Sequence, residues 1–157
     1  LAKQLALYVT MYSPLQMAAD LPENYEARMD AFQFIKDVAV DWDQTEVLDA
    51  EPGDYIIMAR KAKGKDSWFL GAITDENGRY YTSKPLAFLD ADKKYVATIY
   101  RDGNMADWDK IPENYVIEKF LVDSKTILKL KLAPGGGAAI SLIPATDAEL
   151  KTIKKYK

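Results

Sequence analysis

The spacing of apolar residues changes character near residue 41. Before that point they recur every three or four positions, the period of a helix face; beyond it they come in short runs separated by turn residues, the pattern of strands. The second regime centres on Tyr55–Thr74, YIIMARKAKGKDSWFLGAIT. Two runs, Tyr55–Ala59 and Trp68–Ile73, flank a polar tip, Lys61–Asp66, that contains Gly64. This predicts two antiparallel strands joined by a hairpin loop. Both runs are apolar at nearly every position, so both faces of the pair are expected to be covered and the pair to lie inside its sheet.

Ahead of the hairpin, Ala2–Tyr12 reads as a helix. Leu1, Leu5, Tyr8, Val9 and Tyr12 follow helical spacing while Ala6, Leu7 and Met11 fill the other side, so burial nearly all round is expected. Ser13-Pro14 ends it, because proline lacks an amide proton and pushes the preceding residue out of the helical region. Leu15–Ala19 is too short for a helix and reads as one buried strand. After Asp20 and the loop Leu21–Asn24, a second helix is predicted over Tyr25–Val40. Tyr25, Met29, Phe32, Ile35 and Ala39 form its inner face, with Glu26, Arg28, Asp30, Gln33, Lys36 and Asp37 outside. Helix, short strand, helix is the order of the closing units of a (β/α)8 barrel. A lone strand cannot satisfy its own backbone groups, so its partners are expected outside this chain. Leu1 already lies within the periodic segment, and the chain is expected to be a portion of a longer one.

Downstream, Thr45–Leu48 reads as a short edge strand. Asp75–Gly78 is a hairpin turn, and Arg79–Ser83 and Leu86–Leu89 are weaker strands with Pro85 between them. Tyr95–Arg101 and Tyr115–Val122 are strands separated by the loop Asp102–Asn114. Thr126–Leu132 alternates, with Leu128, Leu130 and Leu132 on one face and Lys129 and Lys131 on the other. Pro134–Gly137 turns the chain into the strand Ala138–Ile143, and Thr146–Lys155 suggests a short terminal helix. Seven or eight strands at hairpin spacing predict an antiparallel β-sandwich.

Composition narrows the chemistry. The chain has 157 residues, 48% hydrophobic and 29% charged, the balance of a folded globular protein. A net charge of −3 without a basic run speaks against a nucleic-acid partner. No apolar run approaches the roughly 18 residues of a membrane-crossing helix. There is no histidine and no cysteine, which removes the commonest general base, the commonest zinc ligands, thiol nucleophiles and disulfides.

Four stretches occur in an order that resembles the C-terminal end of glycoside hydrolase family 97, an α-glucosidase and α-galactosidase family of Bacteroidetes. They are LALYVTMYSPLQMAADLPENYE (Leu5–Glu26), SWFLGAIT (Ser67–Thr74), YVATIYRDG with ADW (Tyr95–Gly103, Ala106–Trp108) and LAPGGGAAISL (Leu132–Leu142). The resemblance covers nearly the whole chain. It implies a mainly β fold: residues 1–41 are the terminal helix–strand–helix of a (β/α)8 barrel, and 42–157 a C-terminal antiparallel β-sandwich domain. It implies a non-catalytic portion of a glycoside hydrolase that packs against the catalytic barrel of its own parent chain or mediates homo-oligomer contacts. The family's catalytic residues and calcium-binding glutamates come from upstream, so no catalytic residue and no cofactor is expected in this portion; calcium and the oligosaccharide substrate belong to the parent. The parent is expected to be periplasmic or otherwise exported. The other reading is an independent carbohydrate-binding β-sandwich module.

Asp20 and Gln16 are the candidate substrate-binding residues, since the C-terminal end of a barrel strand faces the active-site mouth. Asp20 equally suits a cap for the next helix, with Glu23 completing a capping box. Asp102, Asp107 and Asp109 cluster in sequence but lack a calcium-loop pattern, and read as solvated loop acids. Gly135–Gly137 reads as a turn, because a strand rather than a helix follows it. Trp42, Trp68, Trp108, Tyr80 and Tyr81 are candidates for a sugar-stacking platform, against a core role for Trp68 and a packing role for Trp108.

Overall fold

The computed structural model describes all residues, Leu1–Lys157. Helices α1 (Ala2–Thr10), α2 (Pro22–Glu26) and α3 (Met29–Asp37) come first. Eight strands follow: β1 (Trp42–Glu51), β2 (Tyr55–Ala62), β3 (Trp68–Thr74), β4 (Arg79–Thr82), β5 (Tyr95–Asp102), β6 (Tyr115–Val122), β7 (Lys129–Leu132) and β8 (Gly137–Pro144). A last helix, α4 (Asp147–Thr152), starts from a capping box between Thr146 and Glu149.

Six strands make one antiparallel sheet in the order β1-β2-β3-β8-β5-β6, and β4 pairs with β7 in a second, two-stranded sheet. The predicted hairpin is β2–β3, in the register Met58 opposite Gly71, and it lies inside the large sheet. Its apolar character on both faces has two causes. On one face Trp68, Leu70 and Ala72 join Ala97, Ile99, Ile140 and Leu142 under Leu86, Leu89, Leu128, Leu130 and Leu132, the core of the sandwich. On the other, Phe69, Tyr100 and Ala139 meet Leu5, Ala6 and Val9 of α1 and Ala31 and Phe34 of α3. Phe34 is wholly buried there, edge-on to Phe69 and Tyr100, and its burial stabilises the helix–sheet contact by about 1.5–3 kcal/mol.

Two glycines set how close α1 lies. A Cβ on Gly71 would stand 2.7 Å from the Ala6 carbonyl oxygen, and one on Gly137 would stand 2.9 Å from the Lys3 Cα. The helix backbone therefore rests directly on β3 and β8. At the sheet edges, β1 is interrupted by two register shifts and carries Asp43, Glu46, Asp49 and Glu51. Both features discourage strand addition. The other edge, β6, is closed near its end by the C-terminal segment, where Leu121 N–H donates to the Lys154 carbonyl and Tyr156 N–H to the Leu121 carbonyl.

Several expectations are corrected. Leu15–Ala19 is not a strand: no other segment pairs with it, and Leu15 and Met17 are 73% and 77% exposed. The reason is the one that made it suspect, a single extended segment with nothing alongside. The second helix is broken at Ala27–Arg28, which resets the helical phase. Ala31, Phe34 and Val38 are therefore the buried positions, and Met29 is exposed. The first helix buries one stripe, Ala2, Leu5, Ala6 and Val9, rather than its whole girth. Leu86–Leu89 is a turn whose two leucines plug the core. Thr45–Leu48 is the middle of a ten-residue strand.

Candidate functional site

One face of the molecule exposes apolar side chains in quantity. Met11, Tyr12, Leu15, Met17, Leu21 and Met29, each 45–77% exposed, fall within the segment that runs from the end of α1 to the start of α3. Between α1, α2, α3 and the Pro112–Glu113 loop lies an open cleft of about 960 Å³, lined largely by apolar groups including Leu5, Leu7, Tyr8, Met11, Met17, Tyr25, Phe32 and Ile35. Tyr25 and Phe32 stack with ring centroids 4.6 Å apart, bridging the break between α2 and α3. Polar groups tie the rim to the sheet. Arg28 pairs with Glu113, and Tyr115 Oη donates to the Asp30 carboxylate at 2.9 Å.

Gln16 and Asp20 both line this cleft. Gln16 Nε2 donates to the Met11 and Ser13 carbonyls, each at 3.3 Å, which folds residues 11–16 back on themselves. Asp20 Oδ1 accepts from Asn24 Nδ2 at 2.5 Å and from Leu21 N–H at 2.8 Å. These two bonds, the Asn24 contact first, hold its carboxyl below the usual carboxylate range. Asp20 thus braces the start of α2 from one residue ahead of the cap position, which Leu21 occupies with Pro22 behind it. Glu23 closes no capping box.

The three loop acids go separate ways. Asp102 is not a solvated acid. It is the last residue of β5, 7% exposed, and its Oδ2 accepts from Ala133 N–H at 2.9 Å and Gly137 N–H at 2.8 Å. Burial raises its pKa, with the two amide bonds pulling the other way. Asp107 accepts from the Asp109 and Lys110 amides and shapes the loop, and those bonds lower its pKa. No group of three or more acidic side chains lies close enough together to hold a cation.

The aromatic candidates also disperse. Trp68 is buried against Phe88 in the sandwich core. Trp42 lies edge-on to Phe69. Trp108 is 64% exposed and lies against Gly135, and Tyr80 is 83% exposed with the Lys131 ammonium over its ring. Two buried charges were missed in the sequence: Asp102, which was grouped with the solvated loop acids, and Arg60 in the interior strand β2. A charged residue inside an otherwise apolar strand was the available clue to Arg60.

The two carboxylates of the cleft, Asp20 and Glu113, are engaged by Asn24 and Arg28, and most of the other lining residues are apolar. Such a surface is suited to docking another protein body.

The family model described as glycosyl-hydrolase 97 C-terminal, oligomerisation, matches residues 41–143. A retaining alpha-galactosidase of Bacteroides thetaiotaomicron is 40% identical over 140 residues, which are 89% of this chain and 20% of that protein. A probable retaining alpha-galactosidase of Streptomyces bingchenggensis is 30% identical over 141 residues, again 89% of this chain and 20% of that protein. Among solved structures, a glycoside hydrolase family 97 enzyme from Pseudoalteromonas sp. strain K8, in complex with panose, superposes with a TM-score of 0.89 at 50% identity, covering 92% of this chain and 22% of that one. The chain therefore spans about one fifth of the length of the curated relatives it matches.

Proposed function

Since the chain belongs to the glycosyl-hydrolase 97 C-terminal, oligomerisation family, we propose that it is the bracing portion of an α-glycoside hydrolase. In this reading residues 1–41 complete a catalytic barrel and the sandwich that follows supports it, while bond cleavage is carried out by residues upstream. The observation that carries the reading is the exposed apolar segment Met11–Met29 with its open cleft, far more apolar surface in one place than scattered exposed leucines account for. Covering Leu15 and Met17 alone would contribute about 3–6 kcal/mol at ordinary transfer values. In the same reading Leu15–Ala19 is a strand in waiting. The amides of Gln16, Met17, Ala18 and Ala19 donate to no acceptor in this chain, and barrel strands on either side would receive them. The family's calcium would be held by upstream residues.

Supplying this chain in trans to a family 97 enzyme truncated at the corresponding position tests the proposal. Neither piece alone should turn over p-nitrophenyl α-galactoside or α-glucoside, and the mixture should. Turnover by this chain on its own would refute it.

A further inference from the structure

Arg60 is a buried cation without a counter-charge. The residue is 8% exposed, yet no Asp or Glu lies within ion-pair distance of it. The chain's other arginines are all paired: Arg28 with Glu113, Arg79 with Asp54 and Asp75, Arg101 with Glu118. Of the five donors of a guanidinium, only Nε finds an acceptor here, the Met58 sulfur at 3.4 Å, a weak one. Its central carbon lies 5.6 Å from the Tyr12 ring centre and 5.9 Å from that of Trp42. The two rings hold the group in place and attract its charge, but they offer no lone pairs to its N–H groups. Every wholly buried side-chain nitrogen and oxygen in the molecule has a partner. The terminal nitrogens of Arg60, which have none, therefore open at the surface beside the two rings. Tyr12 belongs to the exposed apolar segment.

We propose that Arg60 is the receptor for an Asp or Glu carboxylate on the catalytic body that docks on this face, an inference that rests on the bracing function proposed above. A planar fork presented at an opening between aromatic walls matches a carboxylate in two-point contact. An arginine left alone in such a place costs stability, and pairing on docking removes that cost. The ion pair then makes docking selective, because a body without an acid at that point leaves the guanidinium covered and unpaired.

Opposite effects of one substitution in two contexts test this. In the isolated chain Arg60→Met removes an uncompensated charge and should raise the unfolding midpoint by about 2–4 °C. In the full-length protein that carries this sequence behind its catalytic body, the same change strands the partner carboxylate and should lower the midpoint by at least as much. Arg60→Lys should recover only part of that loss, since it restores the charge without the fork. A shift of the same sign in both contexts overturns the inference, as does an effect in the isolated chain that grows with protein concentration, which would make a second copy the source of the carboxylate. The double change Leu15→Asp, Met17→Asp separates this failure from that of docking itself. If it disrupts the full-length protein while Arg60→Met does not, the docking stands and the carboxylate receptor falls. If neither matters, both fall.

Discussion

At the residue scale, the most informative side chain is Asp102. One oxygen of this carboxylate accepts from two backbone amides that belong to different segments, Ala133 after β7 and Gly137 at the start of β8. It pins the small sheet to the large one. Asp102→Ala leaves both amides without a partner in a buried place and should cost about 2–4 kcal/mol in denaturant unfolding. Asp102→Asn keeps an oxygen acceptor and should cost less, with a pH signature. Burial raises the folded-state pKa of Asp102 above its ordinary 3.8, so the folded chain binds this proton at a higher pH than the unfolded chain. The stability this contributes is fully present below 3.8 and is lost as the pH rises through the raised value. Wild type should therefore gain on the Asn variant as the pH falls from neutral towards 3.8, measured by unfolding at several pH values. Sequence alone placed Asp102 in a loop with two other acids. Position in the chain said nothing of the two amides brought to it from residues 133 and 137, so its burial was invisible.

At the scale of elements, the legible parts were those whose pattern is set by local contacts. The β2–β3 hairpin announced itself because both of its faces are covered, and the alternation of leucine and lysine in β7 marked one face as core. The short terminal helix after Thr146 was equally local, though the capping box that starts it was found only in the structure. What stayed hidden depends on distant neighbours. The last strand, β8, sits between β3 and β5 in the middle of the sheet, a placement no local signal carries. The second helix was read in the wrong phase because a break at Ala27–Arg28 interrupts an otherwise continuous period. The close seat of α1 on the sheet depends on Gly71, which reads from sequence only as a weak spot in a strand. Gly71→Ala drives a methyl to 2.7 Å from the Ala6 carbonyl oxygen and to 3.0 Å from the Val9 Cβ. Neither backbone nor a β-branched side chain yields easily, so the helix must lift. The expected cost is about 1–3 kcal/mol in chemical unfolding, with faster hydrogen exchange in α1 than in β5. An unchanged stability would mean that the helix is loosely seated.

At the scale of the whole molecule, the two faces of the large sheet serve different ends. One is closed within the chain by β4, β7 and the leucines of the loops. The other is closed by α1 and α3, and these helices then turn their own outer surfaces, with the segment between them, to solvent. Of the candidate site, the sequence marked Leu15–Asp20 as a segment set off by Ser13-Pro14, because proline and spacing are local, but read it as a strand that the chain does not form. It gave neither the hydrogen bonds that occupy those two side chains nor the unpaired guanidinium of Arg60, since both arise from the fold. The bracing function proposed above makes Met11–Leu21 an interface for a catalytic body. Hydrogen exchange at the amides of Gln16, Met17, Ala18 and Ala19, compared between the isolated chain and the full-length protein, tests it most directly. Exchange near the rate of an unstructured segment is expected in the isolated chain, slowing about a hundredfold or more when the upstream body is present. Equal, fast exchange in both would contradict it.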